Sequence, residues 1–240
     1  MTTADGVARG FDRLARPYRW MEYASFGPAL ARCRYARLGE CTAARRALIF
    51  GDGDGRFLAR LLRAHPMIEI DAVDFSAAML ALQRRRAGAA HNRVRWHRAD
   101  ARAFAPPAGG FDVVVTHFFL DCFDNAELDL LVARVASCCT DGAVWIVSEF
   151  AIPNRGWARW PSRAVVAALY RAFGLLTGLP VRRLPDHHAA LCRHGFRLED
   201  ERRFQGGMLQ SQRWRRSDKV GGGAAEQNVA LFRLEADVRA

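Results

Sequence analysis

Lysine is almost missing from this chain. Lys219 is the single lysine among 36 basic residues in 240, so 35 are arginine, and 25 acidic residues leave a formal charge of +11. A field of that sign suits nucleic acid, an anionic lipid surface or an acidic substrate. Arginines spread along the whole chain are also what a bias toward arginine codons leaves behind. The six cysteines (Cys33, Cys41, Cys122, Cys138, Cys139, Cys192) include no Cys-x-x-Cys pair and no zinc spacing. They read as small buried hydrophobes of a reducing compartment, Cys122 included, with no metal expected. A long apolar run is missing too: residues 164–181 are interrupted by Arg171 and two glycines, which argues against a membrane span. The N-terminal stretch carries Asp5, Arg9, Asp12 and Arg13 in place of a signal-peptide core. There is no internal repeat. Half the residues are hydrophobic and a quarter charged, so a soluble, cytoplasmic, single-core protein is expected.

What is present is an alternation of two periods. Residues 1–43 interleave Phe11, Tyr18, Trp20, Tyr23 and Phe26 with arginines, which predicts an N-terminal helical cap broken at Gly27-Pro28. Short apolar runs follow at 47–50, 68–73, 94–97, 111–116 and 143–150. Between them, helical spacing marks 56–64, 76–87 (Ser76 as N-cap) and 125–139, while Pro106 to Gly110 reads as a loop and Asp141-Gly142 as a turn. Strands alternating with helices predict parallel pairing, because each parallel connection needs a crossover. The fold expected is α/β: a doubly wound, mostly parallel seven-stranded sheet with helices on both faces. Runs at 196–204 and 208–214, split by Gly206-Gly207, supply its C-terminal antiparallel hairpin. Within a main domain of 44–216, residues 152–188 read as a helical insertion on the substrate side, with a long apolar helix at 162–179. A shorter helix at 185–194 ends at Gly195. Residues 217–240 read as a flexible tail, with a candidate last strand at 228–234.

The densest local signal is Gly51-Asp52-Gly53-Asp54-Gly55-Arg56, between a strand and a helix. Alternate glycines permit a tight turn and close approach of a ligand, and the following helix offers free N–H groups. Asp74 lies 19 residues past Gly55 at the end of the second strand, where a carboxylate accepts from both hydroxyls of a ribose. Asp100 follows the third strand, placed to receive an adenine amino group. An adenosine-containing ligand is therefore expected. Arg56 stands where the dinucleotide fingerprint needs its third glycine.

These residues resemble the class I S-adenosylmethionine-dependent methyltransferases over roughly 44–214. Leu48 to Gly55 is similar to their first motif, Val73 to Leu80 to their second, Arg98 to Ala101 to their third and Phe111 to His117 to their fourth. The resemblance implies S-adenosylmethionine as cofactor. It implies Gly51, Gly53 and Gly55 around the methionine moiety, Asp74 on the ribose, Phe75 and Met79 flanking the adenine, Asp100 and Ala101 at its edge, and Thr116 and His117 beneath the sulfonium. Ordinary core packing is the alternative for Phe75 and Met79. Many members carry an acid two residues before the first glycine; here that position is Ile49, and Asp52 or Asp54 is the expected substitute. Asp54 also resembles the loop aspartate of polyamine aminopropyltransferases, though no second acidic motif of that family is present. No Asn/Asp-Pro-Pro-Tyr motif follows the fourth strand, which argues against amino-methylation of adenine or glutamine.

For catalysis the candidates are His117, as a base near neutrality, and Asp121, to orient it or bind substrate. A purely structural hydrogen bond is the alternative for His117. Trp157, Trp160, Tyr170 and Phe173 suggest an apolar, partly aromatic acceptor pocket, and 169–179 with Asp186 and Gly195-Phe196 is loosely similar to quinone- and lipid-type methyltransferases. Arg159, Arg163, Arg171, Arg182 and Arg183 would seat that helix against anionic lipid as a peripheral membrane contact. The expected function is methyl transfer to a small acceptor. An RNA methyltransferase, an aminopropyltransferase and a non-catalytic adenosyl-ligand binder are the alternatives, and the oligomeric state is open.

Overall fold

The computed structural model describes residues 26–41, 44–107, 110–153 and 184–217, with Asp12, Trp20, Glu22, Tyr23, Val165, Ala168 and Arg171 besides. The rest of the predicted N-terminal cap, the 153–161 loop with Trp157 and Trp160, most of the 162–179 helix, and the tail strand lie outside the described residues. Val165, Ala168 and Arg171 are helical and share an exposed face.

Seven strands form one sheet in the order β3-β2-β1-β4-β5-β7-β6. β1 (Arg46–Phe50) lies between β2 (Glu69–Asp74) and β4 (Phe111–His117), parallel to both. β3 (Val94–Arg98) extends the parallel set beyond β2, and β5 (Cys139–Phe150) beyond β4. β7 (Leu209–Arg216) runs antiparallel between β5 and β6 (Phe196–Phe204), as the glycine-split hairpin predicted. The chain order reverses at β1, so the crevice at the carboxyl ends of β1, β2 and β4 is where such a sheet binds ligands.

The alternating side chains of β1 show how both faces are covered. Leu48 and Phe50 pack with Trp145 and with Leu128, Leu131 and Val135 of α4 (Asn125–Ser137). Ala47 and Ile49 face the other way, onto Phe57, Leu58, Leu61 and Leu62 of α2 (Arg56–Ala64). Ile49, where the resemblance led to the expectation of an acid, is 1% exposed in that apolar layer. Two further helices, α1 (Ala29–Tyr35) and α3 (Ala77–Ala87), precede and follow this unit, and α5 (His187–Arg193) leads into β6.

Local chemistry sets the boundaries. Ser76 caps α3 by accepting from the Met79 amide, and Asp124 with Glu127 closes a capping box on α4. Asp141-Gly142, expected as a turn, lies inside β5. Gly142 has φ +70°, and the β4–β5 register shifts between Phe111 and Val113. A glycine there kinks the strand as a bulge without ending it.

Candidate active site at the carboxyl edge of the sheet

The β1–α2 loop is built on three left-handed glycines, Gly51 (φ +58°), Gly53 (+57°) and Gly55 (+83°). Space as well as dihedral excludes a side chain at two of them. A Cβ on Gly51 would lie 2.4 Å from Phe119 Cδ2, and one on Gly55 would lie 2.6 Å from the Gln83 Cα. The turn is thus clamped between the segment leaving β4 and helix α3.

The two loop acids face opposite environments. Asp54 accepts from Arg56 Nε and Arg86 Nη2, each at 2.8 Å, so its carboxylate is committed to guanidiniums. Asp52 turns inward: Oδ2 accepts from the Leu58 amide at 2.9 Å, while Oδ1 is buried with no donor. Burial, against the Leu58 bond and the charge of Arg34, pushes its carboxyl up to about 7.

Asp74 ends β2 with one oxygen on the Ser76 amide (2.9 Å) and the other on Gln83 Nε2 (3.0 Å). The Phe75 amide donates to this carboxylate as well. Burial outweighs these bonds and raises its carboxyl to about 7 as well. Gln83 also donates to the Gly53 carbonyl at 3.0 Å, which ties the loop to Asp74, and its own Oε1 has no partner. Phe75 is half-buried and Met79 buried. Asp100 is half-buried and accepts from the Arg102 amide at 2.9 Å, and Ala101 is buried beside it.

Thr116 and His117 are consecutive in β4, so their side chains take opposite faces. Thr116 Oγ1 accepts from the Trp145 indole at 3.1 Å, deep in the core. Only its backbone is left for a ligand. His117 lies edge-on to Phe57 with ring centroids 4.5 Å apart and pairs through Nδ1 with Ser148 Oγ at 2.9 Å; its Nε2 has no partner. Burial, then the charge of Arg34, holds its pKa well below the ordinary value, so the ring is neutral at pH 7. The group orienting it is Ser148. Asp121, expected as that partner, interacts instead with Cys122 and Glu149.

Several residues of this edge were not singled out from sequence. Glu149, near the end of β5, accepts from the amides of Phe119 (3.1 Å) and Leu120 (2.8 Å) through Oε1, and its Oε2 is buried without a donor. Burial, then the neighbouring Asp121, pushes this carboxyl well above the usual range. Phe118, which begins the segment that Glu149 ties down, is left-handed at φ +54°, a conformation costly for a non-glycine residue. A lone acid in the apolar run 143–150 was the available signal for Glu149. For Gln83 it was a polar side chain on the apolar Met79–Leu80 face of α3.

Residues 47–142 match the family described as a methyltransferase domain. Over that span the chain resembles class I methyltransferases. Among curated proteins it is 33% identical over 133 residues to a demethylmenaquinone methyltransferase of Thermus thermophilus, covering 55% of this chain and 60% of that one. It is 26% identical over 114 residues to polyamine aminopropyltransferase 2 of Bacillus anthracis, covering 42% of this chain and 32% of that one. The chain thus spans less than two thirds of either relative. An O-methyltransferase family protein from Burkholderia thailandensis shares the fold, with TM-score 0.59 and 19% identity over 87% of this chain and 58% of that one. The methyltransferase family implies S-adenosylmethionine as cofactor, and the domain's loop chemistry fits it. Asp52 Oδ1 is a buried acceptor without a donor, as an ammonium needs, and Asp74 stands at the strand end as a carboxylate with acceptor capacity left for a ribose hydroxyl. Among the described residues, no helix is long and apolar enough to cross a membrane.

Proposed function

We propose that the protein is an S-adenosylmethionine-dependent methyltransferase acting on a small, apolar or aromatic acceptor. One observation carries the reading: three acids gather at one sheet edge, Asp52 and Glu149 buried with an oxygen each that lacks a donor and Asp74 half-buried, and burial raises all three carboxyls. Such groups are costly in a fold unless a ligand uses them. When bound, the cofactor supplies a methyl group activated by its sulfonium. Asp74 accepts the ribose hydroxyls, Phe75 and Met79 flank the base, and Asp100 with Ala101 reads its edge. Gly51, Gly53 and Gly55 let the backbone close on the methionine end, where Asp52 takes the ammonium. Transfer is an in-line displacement, so the chain's task is alignment and water exclusion.

His117 is neutral and offers Nε2, but its depressed pKa makes it a weak base. Its contact with Phe57 of α2 and the nearby charge of Arg34 favour a role on the cofactor side. Asp121 and Glu149 are the acids nearest the segment 118–122, where the acceptor would lie. Residues 152–188 would complete the acceptor pocket.

Aminopropyl transfer is the second reading, favoured by the Bacillus anthracis relative. Against it, Asp54, whose position suggested that chemistry, is committed to Arg56 and Arg86. Calorimetric titration with S-adenosylmethionine, S-adenosylhomocysteine, decarboxylated S-adenosylmethionine and NAD decides the matter. The expected result is micromolar binding of the first two. Preference for the decarboxylated form would move the assignment to aminopropyl transfer, and NAD binding alone, or none, would end the proposal. Methyl transfer to a panel that includes a reduced naphthoquinone then tests the acceptor. Binding without transfer to any acceptor would leave a non-catalytic binder. A steep loss of activity with salt on RNA would favour the nucleic-acid alternative.

A further inference from the structure

Two arginines at the glycine loop share a single carboxylate. Arg34 of α1 is 3% exposed, and both its terminal nitrogens reach the Glu22 carboxylate. Arg56 gives Nη2 to the same carboxylate while its Nε holds Asp54. The Arg34 guanidinium also lies 5.8 Å from the ring centre of Phe118, which leaves β4, and its charge acts on Asp52 and His117. Glu22 therefore places an anion between the glycine loop and the end of β4. Burial alone would raise its carboxyl, but Arg34 and then Arg56 outweigh that and hold it below the usual range.

Beside this anion site lies Asp52 Oδ1, buried and without a donor. A carboxylate clamped by two guanidiniums, next to an acceptor that lacks a cation, is the complement of an α-amino acid. The ligand proposed above carries that zwitterion at its methionine end. At the ribose end a second acid from the N-terminal region is similarly placed: Asp12 Oδ1 accepts from Ser76 Oγ and from the Ala78 amide at 3.2 Å. A buried guanidinium left unpaired is strongly unfavourable, so the free protein needs an anion at this spot.

We propose that Glu22 is an internal stand-in for the α-carboxylate of the adenosyl ligand, and that Arg34 and Arg56 exchange one carboxylate for the other when the ligand binds. The inference rests on the methyltransferase reading above. It makes Arg34 a residue that selects carboxylated over decarboxylated ligand.

The test is equilibrium binding, not turnover. Wild type, Glu22→Gln, Arg34→Gln and Arg34→Lys are titrated with S-adenosylhomocysteine and with 5′-S-(3-aminopropyl)-5′-thioadenosine, the same molecule without its carboxylate. Wild type is expected to favour the carboxylated ligand by about tenfold or more, the scale of a charge-assisted pair. Glu22→Gln removes the competitor and tightens the carboxylated ligand by roughly three- to tenfold, leaving the analogue nearly unchanged. Arg34→Gln brings the two affinities together, and Arg34→Lys restores part of the preference. Should Arg34→Gln fail to fold by circular dichroism, Glu22→Gln, near-isosteric at a half-buried position, carries the test. Unchanged or weaker binding of S-adenosylhomocysteine to Glu22→Gln overturns the stand-in, as does equal weakening of both ligands in Arg34→Gln. Wild type that binds both ligands equally overturns only this inference. Wild type that binds neither removes the methyltransferase reading, and the inference with it.

Discussion

The carboxyl edge of the parallel strands and the antiparallel hairpin both hold acids among arginines, yet the acids behave oppositely. At the edge, burial raises Asp52 and Asp74 to about 7 and Glu149 well above its usual range. In the hairpin, Asp200 is held below its ordinary value by its hydrogen bond to Arg37. Glu201, raised by burial, is brought down further by Gln212 and Arg203. Arg37 is 1% exposed, and its nitrogens are taken by Glu40, Asp200 and the Ser211 carbonyl. The acids of the hairpin are thus paired with hydrogen-bond donors of the hairpin and of Arg37. The edge acids are not all so paired: Asp52 Oδ1 and Glu149 Oε2 are buried without donors, as the proposed ligand site requires.

The largest effect that would sharpen this contrast comes from Gly55→Ala. At φ +83° and with a Cβ 2.6 Å from the Gln83 backbone, the substitution combines left-handed strain with overpacking against α3. A loss of about 2–4 kcal/mol in urea denaturation is expected, together with weakened S-adenosylhomocysteine binding, because Gln83 links Gly53 to Asp74. An unchanged midpoint would mean that the loop yields easily and is no rigid cradle.

Asp74→Asn separates fold from function. The amide oxygen keeps the Ser76 bond, while the new NH2 faces the Gln83 Nε2 donor, so the Gln83 amide must flip to accept from it and gives up the Gly53 carbonyl. A carboxyl whose folded pKa is raised stabilises the fold below the ordinary carboxylate range, and that contribution is lost as pH rises through about 7. The Asp74 contribution to wild-type Tm should therefore fall between about pH 4 and pH 7, and the variant should flatten that slope. Ligand binding should be weakened about ten- to a hundredfold by loss of a charged acceptor. Lower stability with unchanged affinity would assign Asp74 to structure and dissolve the contrast with the hairpin.

How much of this was legible depended on range. The glycine loop, Asp74 and Asp100 were readable because each follows a short apolar strand at a spacing set by one βα unit. The opposite faces of Thr116 and His117 followed from strand period alone, although the family resemblance placed both beneath one atom. Asp54 was not readable, because Arg86 lies 32 residues away on another helix. The same holds for Glu22, which meets Arg34 and Arg56 only through tertiary packing. Asp141-Gly142 misled because the same dipeptide serves turns and bulges.

The smallest effect belongs to the hairpin. Glu199 links β6 to β7 by accepting from Arg215 Nε at 2.7 Å and pairing with Arg213 Nε at 3.0 Å. Both arginines keep other partners when it is neutralised: Arg213 lies 3.9 Å from Glu40, and Arg215 donates to the Gly142 carbonyl at 3.0 Å. Glu199→Gln should therefore cost only about 0.5 kcal/mol, the scale of exposed ion pairs. High salt should erase most of that loss, because screening removes it from wild type as well. Affinity for S-adenosylhomocysteine should not change, and the fall in stability between about pH 4 and pH 7 that Asp52 and Asp74 contribute should persist. A variant with altered affinity would show that the hairpin's charges reach the site, and the division between a paired hairpin and a ligand-requiring edge would then fail.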